Sequence, residues 1–161
     1  MAEFIEKKSS GNFVVLDRLQ DPGNIGTIIR TADAAGYKLV IAMKGTADIF
    51  SPKVVRSATG SLFRVPIAFM ENNDELIDFC AKAKKKLTAT CLDDSKFYYE
   101  EDLEDNIALI VGNEGNGIST PIRNLLNERL LIPSYNLSDT AESLNVATAT
   151  AIICSEFRRR F

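Results

Sequence analysis

The sequence contains no histidine among its 161 residues. That excludes a Ser-His-Asp triad, a Cys-His dyad and any His-ligated metal site. Catalysis, if present, rests on carboxylates, amides, hydroxyls, lysine, arginine or the backbone. Cysteine is also scarce: Cys80, Cys91 and Cys154 stand far apart, with no C-x-x-C pair. Neither a zinc pair nor a thioredoxin-type redox site is indicated, and the three read as reduced, small core residues. No metal is expected. No apolar run approaches the ~20 residues of a membrane span, and residues 1–11 carry no apolar signal-peptide core. The expectation is a cytoplasmic protein with no membrane partner.

Excess positive charge is missing too. The chain has 19 Lys and Arg against 22 Asp and Glu, a net charge of −3, whereas a general nucleic-acid binder is usually basic. Two local basic clusters stand out, Lys82, Lys84, Lys85 and Lys86, and Arg158, Arg159 and Arg160. Such runs are most often solvated helix faces or ends. What remains is an ordinary globular composition, 45% hydrophobic and 25% charged. A chain of this length buries roughly 70% of its unfolded surface as one domain.

Residues 106–119 organise the chain. Five apolar residues, Ile107 to Val111, run into a loop carrying Gly112, Gly115 and Gly117. A short continuous apolar run reads as a strand buried on both faces. The glycines after it permit unusual backbone angles and close approach of a ligand. Further strands are predicted at 12–16, 38–43, 65–69, 87–92 and 130–132. Helices are predicted at 24–35, 51–58, 72–85, 121–126 and 143–160, with 98–105 an acidic surface segment and 133–142 a polar loop. This alternation predicts an α/β fold, a mainly parallel six-stranded sheet with helices on both faces.

Three loops follow strands and each carries an asparagine. In the first, Asp21-Pro22-Gly23-Asn24 opens a helix that Asn24 is placed to cap. Arg30 lies on the polar side of that helix. It either pairs with Asp33 on the surface or presents its planar donor fork to a phosphate or carboxylate. In the second loop the glycines are spaced G-x-x-G-x-G. This is neither the dinucleotide fingerprint nor a P-loop, so phosphate binding is not the preferred reading. Glu114, set between glycines, can accept hydrogen bonds or orient a polar substrate. In the third, Pro133 ends a strand, and Ser143 and Asn145 sit where the last helix begins, either being a possible N-cap.

Together these residues resemble the SpoU-type RNA ribose 2′-O-methyltransferases of the SPOUT, or α/β-knot, superfamily. The family's N-x-G-x-x-x-R-T-A motif is matched by Asn24, Gly26, Arg30, Thr31 and Ala32. Its G-x-E-x-x-G is matched by Gly112, Glu114 and Gly117. Its proline followed by S-L-N-V is matched by Pro133 and then Ser143, Leu144, Asn145 and Val146. The 51–57 segment, Ser-Pro-Lys-Val-Val-Arg-Ser, is also similar to one common in these enzymes. Two positions depart from the pattern: Ser134 replaces a frequent methionine and Ala147 a frequent serine.

The resemblance covers nearly the whole chain from Asn12, and it implies what pattern alone does not. Residues 1–161 would form a single methyltransferase domain, either a compact stand-alone member or the catalytic part of a longer protein with a preceding RNA-binding domain. The carboxyl end of the sheet would be tied in a C-terminal trefoil knot. Val111, Gly112, Asn113, Gly117, Ile132, Pro133, Leu144 and Asn145 would hold S-adenosylmethionine. Arg30, Asn24, Glu114, Ser143 and Asn145 would serve transfer of its methyl group to a ribose 2′-hydroxyl of tRNA or rRNA. Arg30 is the family's usual candidate base; because arginine stays protonated, binding of RNA phosphate and of developing alkoxide charge is the easier role. A homodimer is implied, each first motif completing the partner's site. The competing reading is a non-catalytic RNA-binding or dimerisation module on the same fold.

Overall fold

The computed structural model describes residues 11–92, 95–100, 105–135 and 143–160. Its strands are β1 (Phe13–Asp17), β2 (Leu39–Met43), β3 (Ile67–Met70), β4 (Lys86–Thr90), β5 (Lys96–Phe97), β6 (Ile107–Gly112) and β7 (Glu128–Leu131). Its helices are α1 (Pro22–Ala34), α2 (Pro52–Ala58), α3 (Asn73–Lys82), α4 (Thr120–Arg123) and α5 (Val146–Arg160), with a short 3-10 turn at Ser61–Phe63. Every strand pairing is parallel, in the order β3-β2-β1-β6-β4-β7-β5.

The continuous apolar strands follow from burial on both faces. Val14, Leu16, Val40, Ala42, Leu109 and Val111 point to one face, where they pack with Ile25, Ile28 and Ile29 of α1, Val54 of α2 and Phe157 of α5. Phe13, Val15, Ile41, Ala108 and Ile110 point to the other, against Leu76 and Phe79 of α3 and Ile122 of α4. Alternate side chains thus enter two separate cores, which leaves no polar face on β1 or β6.

The sheet has seven strands, which corrects the expected six. The extra one, β5, is two exposed residues at the sheet edge paired to Leu130 and Leu131 of β7. Lys96-Phe97 carries no alternation or apolar run by which a strand is recognised. The long helix expected over 72–85 ends at Lys82. Lys84 adopts a left-handed φ of 53°, and Lys85 turns inward, donating to the Gly11 carbonyl and Asn106 Oδ1 and lying 4.1 Å from the Phe13 ring centroid. Burial pushes its pKa down to about 8. α5 starts at Val146 rather than at Ser143.

Both basic clusters have structural partners. Lys82 pairs with Asp78 one helical turn away. Arg158 donates to the Ala35 and Gly36 carbonyls at the end of α1. Arg159 and Arg160 both donate to Glu156, and Arg160 also to the Tyr99 carbonyl. Of the expected 133–142 loop, 136–142 lies outside the described residues.

Candidate active site

Two adjacent strands send the chain to opposite sides of the sheet. α1 leaves β1 toward one core, and α4 leaves β6 toward the other. Such a switch point opens a crevice at the carboxyl ends of parallel strands, where ligands of α/β folds bind. Asp17, at the end of β1, closes the base of the crevice. Its buried carboxylate accepts the Ser119 N–H at 2.7 Å and the Arg18 Nε at 3.0 Å.

Above it, the three asparagine loops meet. Glu114 accepts the backbone N–H of Gln20 at 3.1 Å and of Asp21 at 3.0 Å, and the Asn24 side-chain N–H at 3.3 Å. Asn24 Oδ1 in turn accepts Asn145 Nδ2 at 3.0 Å. Asn145 Oδ1 takes the N–H groups of Ala147 and Thr148 at 2.9 and 3.2 Å. Asn145 is therefore the N-cap of α5, and Ser143 lies before it. At α1 the cap is Asp21, whose Oδ1 accepts the Asn24 N–H at 2.8 Å. That frees the Asn24 side chain for Glu114 and Asn145, so the expected capping role of Asn24 passes to Asp21. Partial burial works against ionisation of Glu114, but donors from its own backbone, Asp21, Gln20 and Asn24 outweigh it and hold its pKa below the usual value.

The glycine loop is a tight fold-back. Asn113 and Gly117 exchange backbone hydrogen bonds at 3.0 and 2.8 Å. A Cβ on Gly112 would lie 2.5 Å from the Gly117 carbonyl carbon and 2.6 Å from the Ile118 nitrogen. Gly117 has a φ of 64°, with open space where a side chain would stand. Asn113 holds the turn from within: its Oδ1 accepts the Gly115 and Asn116 N–H groups, and its Nδ2 donates to the Arg18 carbonyl. The glycines are thus required by backbone crowding and by a left-handed turn.

Beside this network a cleft of about 500 Å³ opens across the ends of β4, β6 and β7. Of the expected cofactor residues, Gly112, Asn113, Gly117, Ile132, Leu144 and Asn145 line it, with Glu114 and Ser143. Val111 is buried in the sheet core, and neither it nor Pro133 is part of the lining. Gly115 of the loop, Thr90, Cys91 and Leu92 at the end of β4, Ile118, Arg123 and Leu131, and Val146 and Ala149 of α5 are also in the wall. The sequence reading missed these. Val146 had a signal in its place in the S-L-N-V match, though not as a cofactor residue; for 90–92 and 131 the signal is position alone, at the carboxyl ends of parallel strands.

Arg30 stands apart. It is exposed on α1, ~9 Å of helix beyond Asn24, outside the cleft lining. Its expected surface partner is taken: Asp33 is held by Arg64, with contacts of 2.6 and 2.8 Å. Among the described residues the Arg30 guanidinium has no hydrogen-bond or ion-pair partner. No group of three or more His, Cys, Asp or Glu side chains is arranged to hold a metal among the described residues, and no helix there is long and apolar enough to cross a membrane.

The chain has similar relatives in sequence and in fold. The 23S rRNA (guanosine(2553)-2′-O)-methyltransferase of Bacillus subtilis is 42% identical over 154 residues, covering 95% of this chain and 60% of that protein. An AdoMet-bound rRNA methyltransferase from Sinorhizobium meliloti superposes with a TM-score of 0.85 at 39% identity, over 94% of this chain and 57% of that one. The SpoU methyltransferase AviRb from Streptomyces viridochromogenes, in complex with AdoMet, gives 0.88 at 33% identity, over 99% and 64%. The chain spans about three fifths of the length of each. A family model matches residues 11–155, from two residues before β1 through most of α5, and with all three loops inside that span the chain belongs to the SpoU rRNA methylase family.

Proposed function

We propose that this chain carries out S-adenosylmethionine-dependent methyl transfer to a ribose 2′-hydroxyl of tRNA or rRNA. The observation that carries the reading is the Glu114–Asn24–Asn145 hydrogen-bond chain joining all three motif loops beside an open cleft of about 500 Å³. Relatives whose names specify RNA 2′-O-methylation and bound AdoMet support it.

The cleft fits the cofactor chemically. Ile118, Leu131, Ile132, Leu144 and Val146 offer apolar surface for an adenine, and Thr90, Asn113 and Ser143 offer polar groups. Open space over Gly117 lets a ligand approach the backbone. In this reading Gly112, Asn113, Gly117, Ile132, Leu144 and Asn145 form the binding wall, with Val111 and Pro133 setting the backbone on either side. When bound, S-adenosylmethionine supplies a methyl group made electrophilic by its sulfonium. Asn24, Glu114 and Asn145 fix the loops, and Ser143 orients the ribose. Arg30 binds the adjoining phosphate and stabilises charge developing on the 2′-oxygen as its proton passes to solvent water and the sulfonium becomes a neutral thioether. An SN2 transfer needs the oxygen in line with the S–CH3 bond, so positioning supplies much of the rate.

Arg30 is exposed, lies outside its own chain's cleft lining and has no partner among the described residues. This supports a homodimer in which Arg30 completes the site of the second copy. We also read the carboxyl end of the sheet as tied in the trefoil knot of this family, and the enzyme as cytoplasmic and independent of metal. Thermal melts test the cofactor: S-adenosylmethionine or its demethylated product raises the midpoint while NAD and ATP do not. Calorimetry showing no binding to the well-folded protein sinks the enzyme reading and leaves the non-catalytic module. Mass spectrometry of RNA from cells lacking the gene, seeking one missing 2′-O-methyl group, identifies the nucleotide.

A further inference from the structure

Phe50 and Phe69 are large apolar side chains left 59% and 54% exposed, and their rings meet at 6.1 Å with a tilt of 44°. Phe50 lies in the turn after β2, its N–H held by Asp48 at 2.9 Å. Phe69 is on the edge strand β3, beside a hollow of about 120 Å³ at the ends of β2 and β3. Neither ring belongs to a core cluster.

The pair is continuous with the candidate active site. The 45–47 turn is tied to the first motif loop: Gln20 Nε2 donates to the Gly45 carbonyl, and the Ala47 N–H to the Leu19 carbonyl at 2.9 Å. Lys53, one turn beyond Phe50, reaches Asp21 at 3.7 Å, and the Asp21 N–H is held by Glu114. Two cations belong to the same segments: Lys44 lines the hollow with Phe69 and Lys53 follows Phe50 by three positions, with 71% and 61% of their side chains exposed. Each rests against an acid, Glu71 and Asp21 respectively. Exposed pairs of this kind contribute little and exchange readily for another anion. Two exposed rings in contact, with exposed lysines on the same segments and hydrogen bonds tying the turn to the first motif loop, match the chemistry of unpaired nucleotides. Bases stack on aromatic faces and phosphates take the ammonium groups.

We infer that Phe50 and Phe69, with Lys44 and Lys53, form a stacking platform for single-stranded nucleotides flanking the methylated ribose. The inference rests on the methyltransferase reading for its substrate and extends it to a second surface. Specificity for an unpaired segment follows, because a base inside a duplex has no free face to offer a ring.

The test uses the full protein, with unmodified RNA from a gene-deletion strain and S-adenosylmethionine labelled in its methyl group. Phe50→Ala with Phe69→Ala raises the KM for RNA roughly tenfold or more, with the cofactor Kd unchanged. Phe50→Trp in the Phe69 background keeps the low KM, whereas Phe50→Leu, equally apolar but without a ring face, does not. Ultraviolet crosslinking of the same RNA, read by peptide mass spectrometry, joins it to peptides spanning 44–53 and 67–71. Crosslinks there without methyl transfer uphold the platform and reject the methyltransferase reading. Methyl transfer with an unchanged KM and no such crosslinks overturns the platform and keeps the enzyme. A double variant that changes only the sedimentation behaviour overturns it too, making the patch an interface with another polypeptide.

Discussion

Asn145 donates its side-chain N–H to the Asn24 side-chain oxygen at 3.0 Å, across 121 positions of sequence. The same asparagine uses its oxygen to cap α5. One side chain therefore starts the last helix and fixes the first motif loop.

The two roles separate in a pair of variants. Asn145→Ala loses the cap and the tie, and lowers stability by about 1 kcal/mol. Asn145→Asp keeps the cap acceptor but cannot donate to Asn24, and sets a negative charge in a network already holding Glu114. Its melting temperature stays closer to wild type than that of Asn145→Ala, while methyl transfer falls at least tenfold. Near-wild-type methyl transfer by Asn145→Asp, with activity lost only in Asn145→Ala in step with its stability, would show that only the cap matters.

Arg30→Ala leaves the fold untouched, since the side chain is exposed and without a partner among the described residues. The melting temperature and cofactor affinity stay at wild-type values, while turnover on RNA drops roughly 100- to 1,000-fold. Near-wild-type turnover on a verified RNA substrate would remove Arg30 from the mechanism. If Arg30 acts on the partner's site, mixing Arg30→Ala with Asn145→Asp restores part of the activity in heterodimers.

Glu114→Gln tests whether the carboxylate is a structural acceptor. Glutamine turns an N–H toward the Gln20 or Asp21 donor, and stability falls by about 1–2 kcal/mol at neutral pH. The native pKa of Glu114 is lowered from the usual 4.5. Its contribution is fully present above that value and is lost as pH falls through the lower native one. Denaturant unfolding therefore gives a gap between wild type and Glu114→Gln that closes in acid. A gap constant from about pH 7 to about pH 3 contradicts this account.

The loop glycines differ in kind. Gly112→Ala drives a Cβ into the Gly117 and Ile118 backbone at 2.5–2.6 Å, so the turn must open and cofactor affinity falls at least tenfold. Gly117→Ala meets no atom within 4 Å but must hold a φ of 64°, which costs about 1 kcal/mol. Gly117→Asn costs less, because asparagine tolerates that region. Calorimetric Kd values in the order Gly117→Asn, Gly117→Ala, Gly112→Ala, from tightest to weakest, check the assignment.

Much of this architecture was legible in the residues. Continuous apolar runs announced the parallel strands, and Gly112, Glu114, Asn24 and Asn145 identified three loops that the fold does bring together. Local chemistry could not locate β5, because Lys96-Phe97 is a strand only by virtue of β7 beside it. Nor could it divert Asp33 from Arg30 to Arg64, a residue 31 positions away. The swap of roles between Asp21 and Asn24 has the same origin: either side chain suits an N-cap, and Glu114 decides between them from 90 positions further along.

The joining of positions 24, 114 and 145 in one hydrogen-bond chain also governs when the molecule becomes competent during its synthesis. The inner strands β1 and β2 lie in the first third of the chain, whereas the cleft's last wall, Leu144 to Ala149, lies near its end. A nascent polypeptide emerging from a ribosome has a sheet to build on long before it has a pocket. Closure of these long-range contacts waits for residues 144–149, so cofactor loading follows the synthesis of all seven strands.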